Sequence, residues 1–105
     1  MTTGTLLPVL AALADETRWS ILTALGAADA SASALAARLP VSRQAIAKHL
    51  SVLQEVGLVE PVPAGREVRF RVIGAELSAT AARLDAIGRT WDRRLTAIKE
   101  IAEGL

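Results

Sequence analysis

The segment from Ser42 to Gly57 limits the possible folds of this 105-residue chain more than any other part of its sequence. Four apolar residues recur there at intervals of four, three and three, the spacing of one face of an amphipathic helix: Ile46, Leu50, Leu53 and Val56. Ser42 is a favoured N-cap, and Gly57 can adopt the left-handed conformation that ends a helix. The stripe therefore predicts a helix whose opposite face points to solvent. That face carries Arg43, Gln44, Ala47, Lys48 and Ser51.

A shorter helix is predicted just before this segment, over about residues 33–39. Its two leucines lie four residues apart, and either Ser31 or Ser33 can accept a hydrogen bond from the free amides of its first turn. Leu39-Pro40-Val41 joins it to the longer helix. Residues 33–57 are therefore predicted to form two helices separated by a tight turn.

Two further helices are predicted upstream. Asp15 is the N-cap of the second of them, which Gly26 ends, and its apolar positions are Trp19, Leu22 and Leu25. The first helix can start around Pro8, because proline is tolerated in an opening turn. Its apolar positions are Leu6, Val9, Leu10 and Leu13.

The pattern becomes extended after Gly57, and residues 58–73 predict a β-hairpin. Two prolines, Pro61 and Pro63, fit an edge strand, and a turn falls at Ala64 and Gly65. The returning strand alternates between apolar and charged residues, which predicts one buried face. The predicted buried residues are Val68, Phe70 and Val72, and the charged ones are Glu67, Arg69 and Arg71.

A last helix is predicted over about residues 75–103. Leu77, Leu84, Trp91, Ile98 and Leu105 lie seven apart along it, and Ile87 and Ile101 fall between them. A helix of this length, about 40 Å at 1.5 Å per residue, is too long for so small a core to cover. The seam therefore predicts a partner, and a Trp on such a seam fits an interface better than the alternative, the lining of a small-molecule pocket.

Composition narrows the class of protein further. A chain of this length fits a single domain, residues 1–105, and its composition favours mainly helical structure with a small hairpin. It has no cysteine, which excludes disulfides and thiolate sites and favours a cytoplasmic location.

The apolar stretch from Leu6 to Ala14 is about half of a membrane span, so no membrane association is expected. No catalytic motif is present, so the chain is not expected to be an enzyme.

Positive charge is concentrated in the middle third of the chain. Residues 38–71 carry six basic residues against three acids, although the whole chain has a formal net charge of only +1. The basic residues are Arg38, Arg43, Lys48, Arg66, Arg69 and Arg71. A two-fold dimer would present this field twice, which favours an anionic partner.

Two short helices followed at once by a hairpin is the layout of a winged helix-turn-helix. The second helix fits the major groove of B-DNA, where Arg can bond guanine and Gln can bond adenine. Its first turn and the hairpin tip then approach the duplex, the tip along the backbone or in the minor groove. The predicted DNA contacts are Ser42, Arg43, Gln44, Lys48, His49 and Arg66.

At these residues the sequence resembles the ArsR/SmtB family of bacterial winged-helix repressors. The resemblance covers roughly Leu6 to Ile73 and is carried by the runs Leu13–Arg18, Ser33–Leu53 and Val56–Val59, together with Gly65 and Arg66. Thr90–Leu95 is also similar to a branch of the family that lacks the metal-ligand motifs.

The resemblance implies a symmetric homodimer that binds a pseudo-palindromic operator in double-stranded DNA and represses transcription. Its interface would combine the first and last helices, through Leu6, Leu10, Leu84, Ile87, Trp91 and Ile98. The family's base-contacting positions fall on Arg43, Gln44, Ala47 and Lys48, where Ala47 departs from the usual polar residue. The cysteine, His and Asp ligands of the metal sensors are absent, so no metal or cofactor is expected, and the inducer is unknown.

Several alternatives stay open from the sequence alone. Winged helices also serve as protein-interaction modules that bind no DNA, and the near-neutral charge of the whole chain fits that use. His49 can cap, pack or contact phosphate. Arg69 and Arg71 are either wing contacts or ordinary solvated strand residues.

Overall fold

The computed structural model describes residues 3–104, with side chains from Leu6 onward, and shows five helices and three strands in that range. In chain order they are α1 (Thr3–Leu13), α2 (Glu16–Ala27), β1 (Ala30–Ser31), α3 (Ala32–Arg38), α4 (Arg43–Glu55), β2 (Val59–Ala64), β3 (Glu67–Val72) and α5 (Gly74–Glu103). The mainly helical fold with a small hairpin is confirmed. Leu105, the last residue of the predicted seam, lies outside the described residues.

Three helices begin at the predicted capping residues. Asp15, Ser31 and Ser42 each accept a hydrogen bond from the backbone N–H three residues later, at 3.0, 3.1 and 3.2 Å. Between Ser31 and Ser33, the structure therefore selects Ser31 as the cap of α3. Gly57 has a φ of +81° just after α4, so the predicted left-handed stop is confirmed.

Helix α1 begins before the predicted position. It starts at Thr3, so Pro8 lies inside the helix and not in its opening turn. The proline lacks the N–H that would otherwise bond the carbonyl of Gly4, and α1 therefore loses one internal hydrogen bond at that point.

The predicted hairpin is part of a three-stranded antiparallel sheet with the order β1-β3-β2. Ala30 pairs with Phe70 and Ser31 with Arg69, so β1 ties the hairpin to the start of α3. Strand β2 is an edge strand, as its prolines predict. Phe70 and Val72 are half-buried, but Val68 is 48% exposed, which corrects its predicted burial. Val68 lies close to the hairpin tip and is not among the residues that pack against the buried core.

The core lies between the first four helices and the base of the sheet. The apolar stripe of α4 faces it, with Ile46, Leu50 and Leu53 at most 1% exposed. The other buried apolar residues are Val9, Ala12, Ile21, Leu22, Leu25, Ala30, Leu35, Leu58 and Val59. Burial of the stripe fixes the rotation of α4, so its polar face points outward.

Helix α5 extends well beyond this core. Leu77 packs against it and Thr80 is buried, but every described residue from Leu84 onward is exposed. The Cα radius of gyration is 18.5 Å, against about 13 Å for a compact chain of this length. The structure is 69 Å long, and most of α5 lacks any packing partner within the described part of the subunit.

Candidate nucleic-acid interface

The outer face of α4 forms one side of the candidate interface. Arg43, Gln44, Ala47 and Lys48 are exposed along it, and the exposed Ser42 caps its start. Because the opposite face is buried in the core, these side chains are presented by a helix that cannot rotate. Four of the six predicted DNA contacts are thereby brought to one surface: Ser42, Arg43, Gln44 and Lys48.

The tip of the β2-β3 hairpin forms the other side. Gly65 and Arg66 make a two-residue turn, with Gly65 at a φ of +66° that favours glycine. Arg66 is exposed, and it makes no ion pair with any other residue in the range 3–104. The fifth predicted contact is therefore an exposed cation at the end of the two-stranded hairpin.

A groove of about 510 Å³ runs between the outer face of α4 and the hairpin. It is lined by Ser31, Ala32, Ser33, Arg43, Ala47, Arg66, Glu67, Val68 and Phe70. Arg43 and Arg66 line it from the two elements, so the groove carries a cation from each side.

Ser33 holds the side chain of Arg43 within this groove. The Arg43 Nε donates a hydrogen bond to the Ser33 Oγ at 2.8 Å, which joins the first turns of α3 and α4. The bond occupies Nε–H and leaves the two terminal amino groups, which are the atoms that can bond the paired acceptors of a guanine edge. The sequence suggested Ser33 only as a capping residue and did not predict this contact.

The other two arginines of the hairpin are compensated by acids of the same sheet. Arg69 Nε lies 2.9 Å from a Glu67 carboxylate oxygen, and Arg71 Nη2 lies 2.7 Å from Glu60. The hydrogen bond and the charge of Glu60 raise the pKa of Arg71. For Arg69 and Arg71 the geometry therefore favours solvated ion pairs on the strand over contacts of the wing with DNA.

His49 differs from the other predicted contacts. It is half-buried on the side of α4 that faces α2, and its Nδ1 lies 3.3 Å from the Arg18 Nη1. A role in DNA binding stays a prediction for this residue, but the contact to Arg18 gives its ring a packing role within the subunit.

Arg18 itself was not predicted as a special residue. Its Nε donates to the carbonyl oxygen of Ala12 at 2.6 Å, and its side chain is only 18% exposed. The Asp15 carboxylate lies 3.8 Å away. The sequence offered two signals for it: Arg18 ends the run Leu13–Arg18 that carries the family resemblance, and it is the single basic residue among the first 37.

A second candidate surface lies on the projecting part of α5. Leu84, Ile87, Trp91 and Ile98 are 45%, 51%, 54% and 61% exposed, and Leu95 and Ile101 are exposed beside them. The predicted α1 residues Leu6 and Leu10 are half-buried. Large apolar side chains exposed in a continuous row are typical of a surface that another chain covers.

Two other classes of site are absent from the part of the chain that the structure describes. Within residues 3–104, no helix combines the length and apolar character that a membrane span requires. The same range contains no group of three or more His, Cys, Asp or Glu residues arranged to hold a metal ion.

Comparison with known proteins gives consistent similarities. Residues 13–62, which include α2, α3 and α4, match the family described as a helix-turn-helix domain. The HTH-type transcriptional regulator Rv2034 of Mycobacterium tuberculosis is 37% identical over 92 residues, which cover 88% of this chain and 83% of that protein.

Solved structures extend the similarity to the whole fold. An ArsR-like transcriptional regulator from Rhodococcus sp. RHA1 is 67% identical, with a TM-score of 0.84 over 94% of this chain and 93% of that one. The homodimeric winged helix-turn-helix DNA-binding domain of Mb0332 from Mycobacterium bovis is 24% identical, with a TM-score of 0.66 over 88% and 82% of the two chains. At that identity the second structure shows the fold alone, which is a winged helix-turn-helix.

Proposed function

This chain belongs to the ArsR-like family of winged helix-turn-helix transcriptional regulators, and we propose that it binds double-stranded DNA as a homodimer and represses transcription from a pseudo-palindromic operator. One observation carries the proposal: Arg43 on α4 and Arg66 at the hairpin tip line the same groove. Two cations on separate elements suit two different features of one duplex, a base edge and the phosphate backbone.

In this proposal α4 enters the major groove. Arg43 and Gln44 lie in its first turn, where their side chains reach guanine and adenine edges with paired hydrogen bonds. Lys48 lies one turn further along the same exposed face, at a position suited to a phosphate. The free amides and the dipole at the start of α4 add a further attraction for phosphate, next to Ser42.

The hairpin acts as the wing. Its base is held by pairing with β1 and its charged sides are ion-paired, which leaves Arg66 at the tip as the cation available for DNA. A contact there is to the backbone or the adjacent minor groove, so it adds affinity with little dependence on base sequence.

The exposed face of α5 supports the homodimer. Its apolar face from Leu84 to Ile101 has no partner within the described subunit, and a second copy offers the same face. The Mycobacterium bovis domain with the same fold is homodimeric, which supports the same state here. Two-fold symmetry would then place one α4 on each half of a palindromic site.

Repression follows if the dimer occupies promoter DNA and blocks access to it. Binding to genomic DNA would place the protein in the cytoplasm. The proposal needs no cofactor or metal, and it leaves the inducer unidentified.

Selection of DNA fragments by the purified protein tests the proposal. The selected sequences are expected to contain two inverted half-sites about one helical turn apart, roughly 34–36 Å. Affinity for them is expected to fall steeply as salt rises, because basic side chains displace counterions from the phosphates. A reporter gene placed downstream of such a site is expected to be transcribed less when the protein is present.

Two outcomes would contradict the proposal. Absence of binding to any duplex at low salt, together with capture of a stable protein partner, would indicate a protein-interaction module. Higher reporter transcription in the presence of the protein would indicate an activator and would contradict repression alone.

A further inference from the structure

We propose that two copies of α5 pair antiparallel in one register, in which Trp91 of each copy fills the space over Gly88 of the other. This inference rests on the homodimer proposed above and specifies how its two long helices meet. It starts from two rows of α5 residues, each repeating every seven positions. The large row is Leu77, Leu84, Trp91 and Ile98, and the small row is Gly74, Ala81, Gly88, Leu95 and Ala102, of which Leu95 is the one large member.

The two rows lie side by side and form one seam, and the exposed Ile87 and Ile101 flank the large row on its other side. Spacings alternate between three and four residues, as from Ala81 to Leu84 and from Leu84 to Gly88, which is the pattern of a helix that packs against another helix along its length. Leu77 packs against the core of its own subunit, so the available seam starts at Ala81. From there to Ala102 every member of both rows is exposed.

The space over Gly88 is open within the subunit. A Cβ built on Gly88 would meet no atom within 4 Å, and Trp91 beside it is 54% exposed. The guanidinium carbon of Arg94 lies 5.6 Å from the centre of the Trp91 ring. One face of the indole is therefore covered by its own helix, and the remaining surface is available to a second chain.

Parallel pairing of two such helices would pack badly. Each row would face its own copy, so Gly88 would meet Gly88 and leave a void, and Trp91 would meet Trp91 and be crowded. Voids lose dispersion contacts and crowding forces side chains off their preferred rotamers. A parallel pair would alternate between these two faults along the seam.

Antiparallel pairing places the large row of one copy against the small row of the other. Trp91 then faces Gly88 of the partner subunit, and Ile98 faces Ala81 of the partner subunit. Leu84 faces Leu95 of the partner subunit, so the exceptional member of the small row meets one of the smaller members of the large row. The summed side-chain volume is thus much more even from layer to layer, which is what close packing requires.

The register also fixes the symmetry axis, which passes between Arg89 and Thr90. The subunit bodies then lie at opposite ends of the helix pair. Asp85 flanks the seam near Asp92 of the partner subunit, and Arg89, which forms an ion pair with Asp85, offsets the repulsion between them.

Filling the space over Gly88 tests the register. Gly88→Trp is expected to raise the dimer dissociation constant by about tenfold or more, measured by sedimentation equilibrium, because two large side chains then compete for one layer. The variant is expected to fold, since Gly88 is exposed and the Cβ added there meets no atom within 4 Å in its own subunit. Ala86→Trp is the matched control, because it adds the same side chain to the exposed outer side of α5 and is expected to leave the constant unchanged.

Exchange of the two residues gives a rescue test. The double variant Gly88→Trp/Trp91→Gly again places one indole against one glycine in each of the two central layers. It is expected to recover most of the affinity that Gly88→Trp loses. Recovery would not follow if Gly88→Trp acted only by disturbing the subunit.

Cysteine cross-linking tests the direction of pairing, because the natural chain contains no cysteine. The double variant Leu84→Cys/Leu95→Cys is expected to form a covalent dimer under mild oxidation. Each single variant is not, since its own copy would lie eleven residues away, about 16 Å along the axis and far beyond disulfide reach. A parallel pair predicts the opposite, with both single variants cross-linked.

The outcomes separate this inference from the proposed function. A wild-type chain that stays monomeric while binding DNA would overturn the homodimer and, with it, the register. A wild-type dimer that survives Gly88→Trp unchanged, or that cross-links through a single cysteine at position 84 or 95, would overturn the register and leave the homodimer in place.

Discussion

Arg18 and His49 are in contact across 31 residues of sequence, with the Arg18 Nη1 3.3 Å from the His49 Nδ1. The same guanidinium donates to carbonyl oxygens at the end of α1, at 2.6 Å to Ala12 and 3.5 Å to Ala11. One largely buried side chain therefore connects the end of α1, the start of α2 and the middle of α4. This residue and the apolar core together hold the orientation of α4.

Arg18→Ala is expected to lower the free energy of unfolding by about 1–3 kcal/mol, because the carbonyl of Ala12 and the ring of His49 lose a partner where water has little access. Urea denaturation measures the change. Arg38→Ala, at an exposed position, is the control and is expected to stay within about 0.5 kcal/mol of wild type. Equal losses in the two variants would contradict a linking role for Arg18.

Stability should also depend on the charge of Asp15. The hydrogen bond from the Arg18 backbone N–H lowers the pKa of the Asp15 carboxyl below its ordinary 3.8, and the Arg18 side-chain charge adds to this while desolvation opposes it. A lowered pKa means that the charged form stabilises the fold above the unfolded-state pKa, and that this stabilisation is lost as pH falls through the folded-state pKa.

The variant Asp15→Asn isolates that charge, because asparagine still caps the helix. Wild type is expected to have the higher urea midpoint at neutral pH, and the difference is expected to shrink as pH falls below 3.8. A difference that stays constant down to the lowest pH at which the protein folds would show that the charge of Asp15 contributes nothing.

Arg43→Ala is expected to weaken binding to the selected operator by about 1–3 kcal/mol and to relax preference at one base pair. Ser33→Ala is expected to cause a smaller loss with the same change in base preference, because it frees the Arg43 side chain from its 2.8 Å bond. In the double variant the two losses should not add. Additive losses, measured by titration of operator and base-substituted duplexes, would show that Ser33 acts independently of Arg43.

Arg66→Ala is expected to weaken binding to operator and to random DNA by similar factors and to reduce the slope of affinity against salt by about one counterion. Arg69→Ala is the matched control on the same hairpin, since its charge is already paired with Glu67. Its salt slope should change less. If Arg69→Ala reduced the salt slope more than Arg66→Ala, the hairpin would contact DNA through its strand and not through its tip.

Alanine substitutions at two glycines with open surroundings are expected to change the free energy of unfolding in opposite directions. Gly57→Ala should destabilise the fold by about 1–2 kcal/mol, because a φ of +81° is strained for any residue with a Cβ. Gly26 lies inside α2, which ends at Ala27, so its predicted role as the end of that helix is wrong. Gly26→Ala should therefore stabilise the fold by about 0.5–1 kcal/mol through helix propensity. Neither added Cβ meets an atom within 4 Å, so the sign depends on the backbone alone. Thermal unfolding of both variants provides the comparison.

The starts of α2, α3 and α4 were predictable because their capping signals are local. Asp15, Ser31 and Ser42 each bond an amide three residues away, so the sequence contains both partners within one turn. Strand β1 was not predictable, because its two residues are extended only through pairing with β3, about forty positions later. Val68 was assigned to the buried face by alternation, which reports the face of a strand but not how far the core extends along it.

The difference between local signals and contacts between distant elements also decides what could be predicted of the candidate interface. The exposed face of α4 follows from the stripe that Ile46, Leu50 and Leu53 define. The bonds from Arg43 to Ser33 and from Arg18 to His49 join separate helices, so they depend on how those helices pack. His49 follows Ile46 by three residues, a spacing that places it beside the buried stripe and was a signal for its half-buried position.

The prolines of β2 have a consequence for contacts between molecules at the exposed edge of the sheet. Alternate residues of an edge strand point their N–H groups away from the sheet, and proline is tolerated only at such outward positions. Pro61 and Pro63 occupy two successive ones opposite Phe70 and Val68, so the outer rim of the wing offers no donor there. Neighbouring molecules are thereby prevented from joining their sheets into a continuous ribbon, a route to aggregation that an uncovered edge would otherwise leave open.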